Sequence, residues 1–339
     1  MFNIYYEIIY KRYSLGFYET FIYKYVLKVK AVSEAEVEKK LTKEEELERY
    51  RKAGAIHRQI TEYIKPHVKL GVKLIDLCEM IEGKILELGG RCAFPTNISI
   101  NNLAAHYSSP PGDETVIEEK DIVKIDFGVH VDGYIADGAF TVAFNQEYNR
   151  LVEASEEALN KAIEAIKPKV KTNEVGRIIE DTIKKYGYRP IRDLSGHILD
   201  QYNLHGAKNI PNIKVPFGKE IIEGEVYAVE TFATTGQGYA RETPYVYIYS
   251  FIPVRAPLRS QLARTVLKKI VEEFKTLPFS QRWLLKDMSL GSVKLAFREL
   301  VNSGLLHQYH VLADVKGSYV SQAEHTLIVT RDGCEVTTR

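Results

Sequence analysis

The chain is short of cysteine, of net charge and of long uncharged apolar runs, and each shortage excludes a class of protein. Three cysteines in 339 residues are too few and too scattered for a disulfide framework or a zinc knuckle, and they suit a reducing compartment. A formal net charge of +1 provides no bulk attraction to DNA or to an anionic membrane. We therefore expect a cytoplasmic protein that binds neither, and nothing in the composition demands more than a monomer.

The N-terminal residues are rich in tyrosine but carry no membrane signal. Charged side chains interrupt every apolar run of residues 1–30, so none approaches the ~20 uncharged residues that span a bilayer. The same stretch has no apolar core followed by a small-residue cleavage site. These residues could form an extra strand or a partner-binding arm, but we favour a poorly ordered N-terminal extension of unknown role over 1–41, or sequence upstream of the natural start.

Regular structure is predicted from Thr42 onward, in two related halves. Thr42 and Glu45 form a capping box at the start of a helix that Pro66 ends. The segment I-K-P-H-V-K (64–69) matches I-K-P-K-V-K (166–171) at five of six positions, and each copy stands between two predicted helices that precede strands. The later helices are expected at about 72–88, 150–166 and 173–186, and strands at about 122–127 and 134–144. This order predicts an α+β fold of two pseudo-symmetric halves with a cleft between them.

A helical insertion is expected over residues 251–311. Three prolines punctuate this segment, which has predicted helices at about 258–275 and 293–302 and more basic than acidic residues. A basic helical segment fits nucleic-acid binding, but no aromatic side chains are interleaved as a stacking platform. We therefore favour a winged-helix-like subdomain that packs on the main body.

Four carboxylates and one imidazole stand in short apolar segments, where charged groups are rarely buried alone. They are Asp126, Asp137, His197, Glu230 and Glu324. Their convergence in one interior would cause strong repulsion, which two divalent cations would turn into coordination. An oxygen-rich ligand set with a single histidine favours Mn²⁺, Fe²⁺ or Co²⁺ over a structural zinc. The pattern indicates a dinuclear metal hydrolase, and no P-loop, dinucleotide fingerprint or nucleophile elbow suggests another chemistry.

The local setting differs among these five residues. Asp126 and Asp137 lie in β-rich runs joined by a turn at residues 130–133, so a hairpin would place both carboxylates on one face. His197 follows a serine and a glycine and is expected in a tight turn. Glu324, taken alone, could equally be an exposed edge residue. Two further histidines, His106 and His205, stand beside the acidic segments and raise the odds of a shared site.

The chain resembles the methionine aminopeptidases of the type 2 subfamily from Thr42 to Arg339. The matching segments, listed in chain order, are A-F-P-T-N (93–97), N-N-L-A-A-H-Y (101–107), K-I-D-F-G (124–128), D-G-A-F-T-V (137–142), G-H (196–197), H-G-A (205–207), E-G-E-V-Y-A-V-E-T-F (223–232) and K-G-S-Y-V-S-Q-A-E-H-T (316–326). The resemblance implies the pita-bread fold and makes residues 42–339 a catalytic metallopeptidase domain. The insertion between the last two acidic segments is the mark of type 2.

The resemblance also implies a role for each ligand candidate. Asp126 would hold one metal ion, and His197 and Glu230 the other. Asp137 and Glu324 would bridge the pair. Glu230 is in addition a candidate proton shuttle during hydrolysis.

The same resemblance implies which residues contact the substrate. His106 and His205 would lie on either side of the scissile amide, His106 beside the departing nitrogen and His205 beside the developing oxyanion. Phe94, Phe232 and Tyr309 would line the pocket for the methionine side chain, whose flexible thioether suits aromatic contact.

The implied activity is removal of the N-terminal methionine from nascent proteins and peptides, with a small second residue preferred. The cofactors would be two divalent ions, Co²⁺, Mn²⁺, Fe²⁺ or Zn²⁺, and nascent chains would bring transient ribosome proximity, although the long charged arm of the eukaryotic enzymes is missing here. One alternative is an Xaa-Pro aminopeptidase or prolidase of the same fold, but these usually carry an N-terminal domain that ~40 residues cannot form. Another is a non-catalytic relative that has lost metal ligands and binds RNA or protein. All five ligand positions are filled in this sequence, which argues against that alternative.

Overall fold

The computed structural model describes residues 41–339. The extension expected over residues 1–41 lies outside the described residues, apart from Leu41. From Lys43 to Arg339 the chain forms one compact unit. Within this described part, no helix combines the length and the apolar character needed to cross a membrane.

Two amphipathic helices open the first half. Helix α1 runs Lys43–Ile64 and helix α2 runs Leu74–Glu87, each burying a stripe of apolar side chains at helical spacing. Helix α2 begins later than expected because the Val72 backbone is engaged with Ile117, which donates its N–H to the Val72 carbonyl at 3.0 Å. The strands that follow are β1 Arg91–Ile100, β2 Leu103–Ala105, β3 Ile122–Val131 and β4 Tyr134–Ala143.

The second half repeats this order. Its helices are α3 Asn149–Ala165 and α4 Thr172–Lys185, within a residue of the predicted bounds. Its strands are β5 Arg189–Pro190, β6 Ser195–Ile198, β7 Asn209–Pro211 and β8 Val226–Thr234. The tight turn expected at His197 is wrong, because β6 pairs with both β7 and β8 there and His197 is a strand residue.

The segment expected to be the helical insertion encloses an apolar cluster of its own. Strand β9 Arg241–Phe251 leads into it, and β11 Leu306–Ala313 leaves it. Between them lie α5 Gln261–Phe274, β10 Phe279–Ser280, α6 Gln281–Leu284 and α7 Leu290–Asn302. Strands β10, β9, β11 and β2 form a four-stranded sheet in that order. The helices close an apolar cluster against this sheet that includes Ile270, Phe279 and Phe297.

A nine-stranded sheet joins the two halves. Strands β12 Val320–Val329 and β13 Cys334–Val336 complete it. The main order is β1-β3-β4-β12-β8-β6-β7, with β13 beside β12 and β5 beside β8. Helices α1 and α2 bury one apolar core against the first half, around Phe127, and helices α3 and α4 bury another against the second half, around Tyr227. The predicted pita-bread architecture of two pseudo-symmetric halves is confirmed.

Candidate metal centre

The sheet register places three predicted carboxylates in one row across four neighbouring strands. Glu230 on β8 is the direct partner of Glu324 on β12. Glu324 also pairs with Ala139 on β4, which in turn pairs with Asp126 on β3. Directly opposed residues point to the same face of a sheet. The row therefore presents Asp126, Glu230 and Glu324 on one face, where the two halves join.

Asp137 and His197 reach this face through the two-residue period of a strand. Asp137 precedes Ala139 by two residues on β4. His197 pairs with Ala228, which precedes Glu230 by two residues on β8. The structure thus brings all five residues singled out by the sequence to one face of the sheet.

Three of these five side chains form a tight group. Ligand atoms of Asp137, His197 and Glu324 lie within 4.8 Å of one another, and all three residues are buried. His197 Nε2 is 3.9 Å from Asp137 Oδ2. Asp126 and Glu230 fall outside this group and keep some exposure to the cleft. The exposed-edge alternative for Glu324 is wrong, because β12 lies in the middle of the sheet and the residue is 3% exposed.

Gln322 was not predicted as a site residue, yet its amide is shared among three of the carboxylates. Its Nε2 donates to Asp126 Oδ2 at 3.2 Å, and it lies 3.4 Å from Glu324 Oε2 and 3.5 Å from Glu230 Oε2. The side chain is 1% exposed, so water does not replace these contacts. The available sequence signal was its position two residues before Glu324, since residues i and i+2 of a strand share a face.

Thr326 is a second residue that the sequence did not single out. Its Oγ1 accepts a hydrogen bond from the Asp137 N–H at 2.7 Å and donates one to the Asp137 carbonyl at 2.8 Å. Thr326 is fully buried on β12. The backbone that carries the Asp137 carboxylate is therefore fixed directly to the strand that carries Glu324.

Burial raises the pKa of all four carboxyl groups. It raises the pKa of Asp126 to about 7, although the residue stays partly open to the cleft. Burial first, and then the negative charges of their neighbours, raise the pKa values of Asp137, Glu230 and Glu324 well above the ordinary range. Burial also lowers the pKa of His197 to about 4, which keeps the imidazole in the neutral form that binds metal ions.

The donor set fits divalent cations. Asp126 Oδ1 and Asp137 Oδ1 are buried and have no hydrogen-bond partner. Among the salt bridges of the described residues, the only partner of any of the four carboxylates is His197, and none is a lysine or arginine. Four acidic groups without cationic side chains, together with one neutral imidazole, are the hard-to-borderline ligands that divalent ions such as Mn²⁺ or Fe²⁺ accept.

His106 follows β2 in a strained backbone conformation beside this face. Its φ of +67° is rare for a residue other than glycine, and such strain persists where the surroundings over-determine it. His106 Nδ1 lies 3.0 Å from the His310 carbonyl oxygen, which can only accept, so Nδ1 carries the proton. Burial lowers the pKa of His106, so the ring is neutral and Nε2 is left as an acceptor.

The rings of His205 and Tyr309 lie close to the rings of His197 and His106. The His205 ring centroid lies 4.6 Å from that of His197 and 6.2 Å from that of Tyr309, and Tyr309 meets the His106 ring edge-on at 5.6 Å. Withdrawal from bulk water lowers the pKa of His205 well below its ordinary value, and the neighbouring imidazoles act in the same direction. The residue as a whole nevertheless remains exposed to the cleft. The structure therefore gathers Tyr309 and the two histidines predicted to contact substrate, His106 and His205, beside the carboxylates.

The two predicted pocket phenylalanines lie on the face that carries the ligands. Phe94 pairs with Gly128, and a Cβ added to that glycine would lie 2.4 Å from the Phe94 ring. Gly128 follows Asp126 by two residues, and Phe232 follows Glu230 by two. Phe232 is fully buried and Phe94 is 6% exposed, so both rings border the ligand row as packed walls.

Comparison with known proteins gives consistent matches over this framework. A family model described as metallopeptidase family M24 matches residues 48–269. The methionine aminopeptidase of Pyrococcus horikoshii is 47% identical over 287 residues, which cover 84% of this chain and 97% of that protein. The solved structure of a thermophilic Arx1 covers 86% of this chain and 90% of its own with a TM-score of 0.73, at 20% identity. The methionine aminopeptidase structure from Thermotoga maritima covers 87% and 96% with a TM-score of 0.64, at 22% identity. The two structural matches show the same fold.

Proposed function

The chain belongs to metallopeptidase family M24, and from that membership we propose that it removes the N-terminal methionine of peptides by hydrolysing the first peptide bond. The observation that carries this function is the 47% identity with a methionine aminopeptidase, in a match that covers 97% of that protein's length. The row of carboxylates, with its neighbouring histidines, supplies the chemical groups that such a hydrolysis needs.

The family implies the use of a divalent metal ion, and we propose two ions per chain. Asp126 would hold one, and His197 and Glu230 the other, with Asp137 and Glu324 shared between them. When bound, the ions would polarise the scissile carbonyl and lower the pKa of a water molecule. Mn²⁺, Fe²⁺ and Co²⁺ suit the oxygen-rich ligand set best, and Zn²⁺ is the remaining candidate.

The other polar groups act on the substrate itself. Glu230 takes a proton from the attacking water and passes it to the departing nitrogen. His205 donates an N–H to the carbonyl oxygen as negative charge develops there. His106, whose Nδ1–H is committed to the His310 carbonyl, accepts a hydrogen bond from the scissile N–H through Nε2. His106 therefore orients the amide, and Glu230 supplies the proton.

Aromatic side chains would select the methionine residue. Phe94 and Phe232 offer apolar walls next to the ligand row, and Tyr309 lies between the two substrate histidines. Such surfaces suit the unbranched, polarisable thioether of methionine. We also propose that the peptide beyond the scissile bond meets a narrow space, so that a small second residue is preferred.

The wider setting is proposed from the sequence. Residues 42–339, with the insertion over 251–311, would be the catalytic unit, and it would act as a monomer. Its three scattered cysteines suit the cytoplasm, where nascent chains would bring transient ribosome proximity. A chain beginning at Thr42 should retain full activity, and a large loss of methionine release from it would contradict this assignment.

One assay tests the function against its alternatives. The purified chain is stripped of metal, supplied with Mn²⁺ or Co²⁺, and given Met-Ala-Ser and Ala-Pro peptides. Methionine release that depends on the added metal is expected, and the Glu230→Gln variant should lose most of kcat even at saturating metal, because it lacks both the proton shuttle and one metal ligand. Preferential cleavage of Ala-Pro would favour a prolidase, and metal binding without hydrolysis of either peptide would favour a non-catalytic relative.

A further inference from the structure

We propose that the helical insertion positions His205, by clamping Tyr202 in the loop that carries it. The His205 loop comprises residues 199–206, between β6 and β7. The inference rests on the proposed function for the contact that His205 makes with substrate. The clamp that holds the loop is a separate structural feature, which can be tested without any substrate.

His205 depends on its backbone for its orientation. Within the described part of the chain, its ring forms no hydrogen bond, and its ring contacts are those with His197 at 4.6 Å and Tyr309 at 6.2 Å. His106, in contrast, is fixed by a 3.0 Å contact with the His310 carbonyl. A catalytic donor must be held within a fraction of an ångström and a few tens of degrees of its working geometry. For His205 that constraint has to come from the loop.

The base of the His205 loop is attached to the sheet. The Gly206 N–H donates to the Ile198 carbonyl at 3.0 Å, and a Cβ added to Gly206 would lie 2.4 Å from the Ile198 side chain. At the other end, the Tyr50 hydroxyl donates to the Leu199 carbonyl at 3.1 Å. Both ends of the loop are therefore fixed. At the tip, Asp200 and Asn203 exchange backbone hydrogen bonds of 3.1 and 3.0 Å, which form a tight turn around Tyr202, and Gln201 Nε2 donates to the Asp132 carbonyl at 2.8 Å.

The tip is clamped between two other elements. The Tyr202 N–H donates to the Gly133 carbonyl at 2.8 Å, and a Cβ on Gly133 would lie 2.4 Å from the Tyr202 ring. On the other side, Lys275 Nζ stands 3.6 Å from the ring centroid, a distance at which a cation is attracted to an aromatic face. The Thr276 hydroxyl donates to the Tyr202 carbonyl at 2.5 Å. Only glycine fits at position 133, since any side chain there would displace the Tyr202 ring.

The two residues in contact both have an unusual backbone conformation. Tyr202 has φ +55° inside the Asp200–Asn203 turn, and Lys275 has φ +54° at the C-cap of helix α5, both in the left-handed region that residues other than glycine rarely adopt. Such conformations persist where the surrounding structure holds them. Lys275 and Thr276 directly follow helix α5 of the insertion, and Gly133 lies in the turn between β3 and β4, the strands that carry Asp126 and Asp137. The clamp therefore couples the insertion, the ligand hairpin and His205.

Tyr202 is accordingly a positioning residue, and its variants should affect turnover through His205. In Tyr202→Ala and Lys275→Met, kcat on Met-Ala-Ser should fall about 10-fold or more, because small misplacements of a catalytic group have effects of up to ~100-fold. KM should change less than about twofold. Matched controls are Tyr63→Ala and Lys84→Met, which remove a lysine–tyrosine contact of 5.1 Å on helices α1 and α2 and should leave kcat unchanged.

A double-variant cycle separates positioning from general damage. In a His205→Ala background, Tyr202→Ala should have almost no further effect on kcat, because its route to the reaction is already removed. Multiplicative losses in the double variant would overturn the proposal. So would a wild-type kcat in both Tyr202→Ala and Lys275→Met.

Hydrogen exchange tests the clamp independently of activity. Amides of residues 199–206 should exchange faster in Tyr202→Ala and Lys275→Met than in the wild type, while the Tyr63→Ala control should not change them. Unchanged exchange would refute the clamp whatever the enzyme does. If the wild type released no methionine but the loop loosened as expected, the function assigned to the site would be wrong and the clamp would stand.

Discussion

Replacing Gln322 with methionine should weaken metal binding at the carboxylate row. Methionine keeps the approximate length and volume of the side chain and removes its amide donor. The contact with Asp126 at 3.2 Å has ordinary hydrogen-bond length, while those with Glu324 and Glu230 at 3.4 and 3.5 Å are at the limit. One good hydrogen bond to a charged acceptor contributes about 1.5–3 kcal/mol. The bond is already present without metal, so this energy is an upper limit, and at about 1.4 kcal/mol per tenfold change it corresponds to a loss of at most ~10–150-fold in affinity.

An independent estimate agrees with this range. Residues that hold metal ligands from behind typically affect affinity or activity about 10–100-fold when they are replaced. Gln322 is 1% exposed, so water cannot enter easily to restore the lost donor. The variant should still fold, because the substitution places an apolar side chain of similar size in a buried position.

Titration calorimetry with Mn²⁺ on the metal-free wild type and the Gln322→Met variant measures the effect directly. The matched control is Gln281→Met, which removes a 3.3 Å amide contact with the Tyr249 hydroxyl in the insertion. The control should bind Mn²⁺ like the wild type. A Gln322→Met dissociation constant within twofold of the wild type, in a variant that melts cooperatively, would refute the idea that this amide orients the ligands.

Three further perturbations test the energetics of the fold and the site. Burial raises the pKa of Asp126 to about 7, so this carboxyl group stabilises the metal-free protein at low pH, and that stabilisation is lost as pH rises through about 7. Bound metal compensates the charged carboxylate, so the increase in Tm caused by Mn²⁺ should grow from pH 5 to pH 8. A pH-independent increase in Tm would contradict the raised pKa. Gly54→Ala should lower the free energy of unfolding by ~1–3 kcal/mol in a urea titration, because the new Cβ would lie 2.4 Å from the Thr337 carbonyl oxygen. This loss should outweigh the ~1 kcal/mol by which alanine favours a helix, and a stabilised variant would show that the contact relaxes freely. Arg282→Met should lower the free energy of unfolding by about 3–5 kcal/mol in the same measurement, because it leaves the Glu82 carboxylate buried without its 2.7 Å partner. Replacing Glu82 with methionine as well should recover most of that loss, and a small loss in Arg282→Met alone would show that the pair is weaker than its burial implies.

Much of the architecture was predictable because its signals are local. The apolar periodicity of 43–64, 149–165 and 172–185 gave helix bounds to within about a residue, and the repeated I-K-P segment gave the two halves. The hairpin of β3 and β4 followed from two β-rich runs and a short turn, although β3 continues to Val131, into the expected turn. These features depend on neighbours within a few residues, which a sequence displays directly.

Features that depend on pairing between distant segments were missed or misassigned. His197 was expected in a turn, because a four-residue strand is defined by its partners β7 and β8 rather than by its own residues. Gln322 and Thr326 were overlooked, since their contacts with Asp126 and Asp137 span about 190 residues of sequence. The contact between Tyr202 and Lys275 has no sequence signature at all.

The sequence by itself determined the chemical inventory: five ligand candidates in apolar segments, three aromatic residues expected to line a pocket and two further histidines, nearly all in segments that resemble one peptidase family. A carboxylate in an apolar strand requires compensation wherever that strand lies, so the need for metal ions could be inferred before any coordinates. Only the tertiary structure decided which side chains hold the ligands in place. That choice depends on strand register, and a slip of one residue would turn Glu324 and Gln322 away from Asp126 to the opposite face of the sheet.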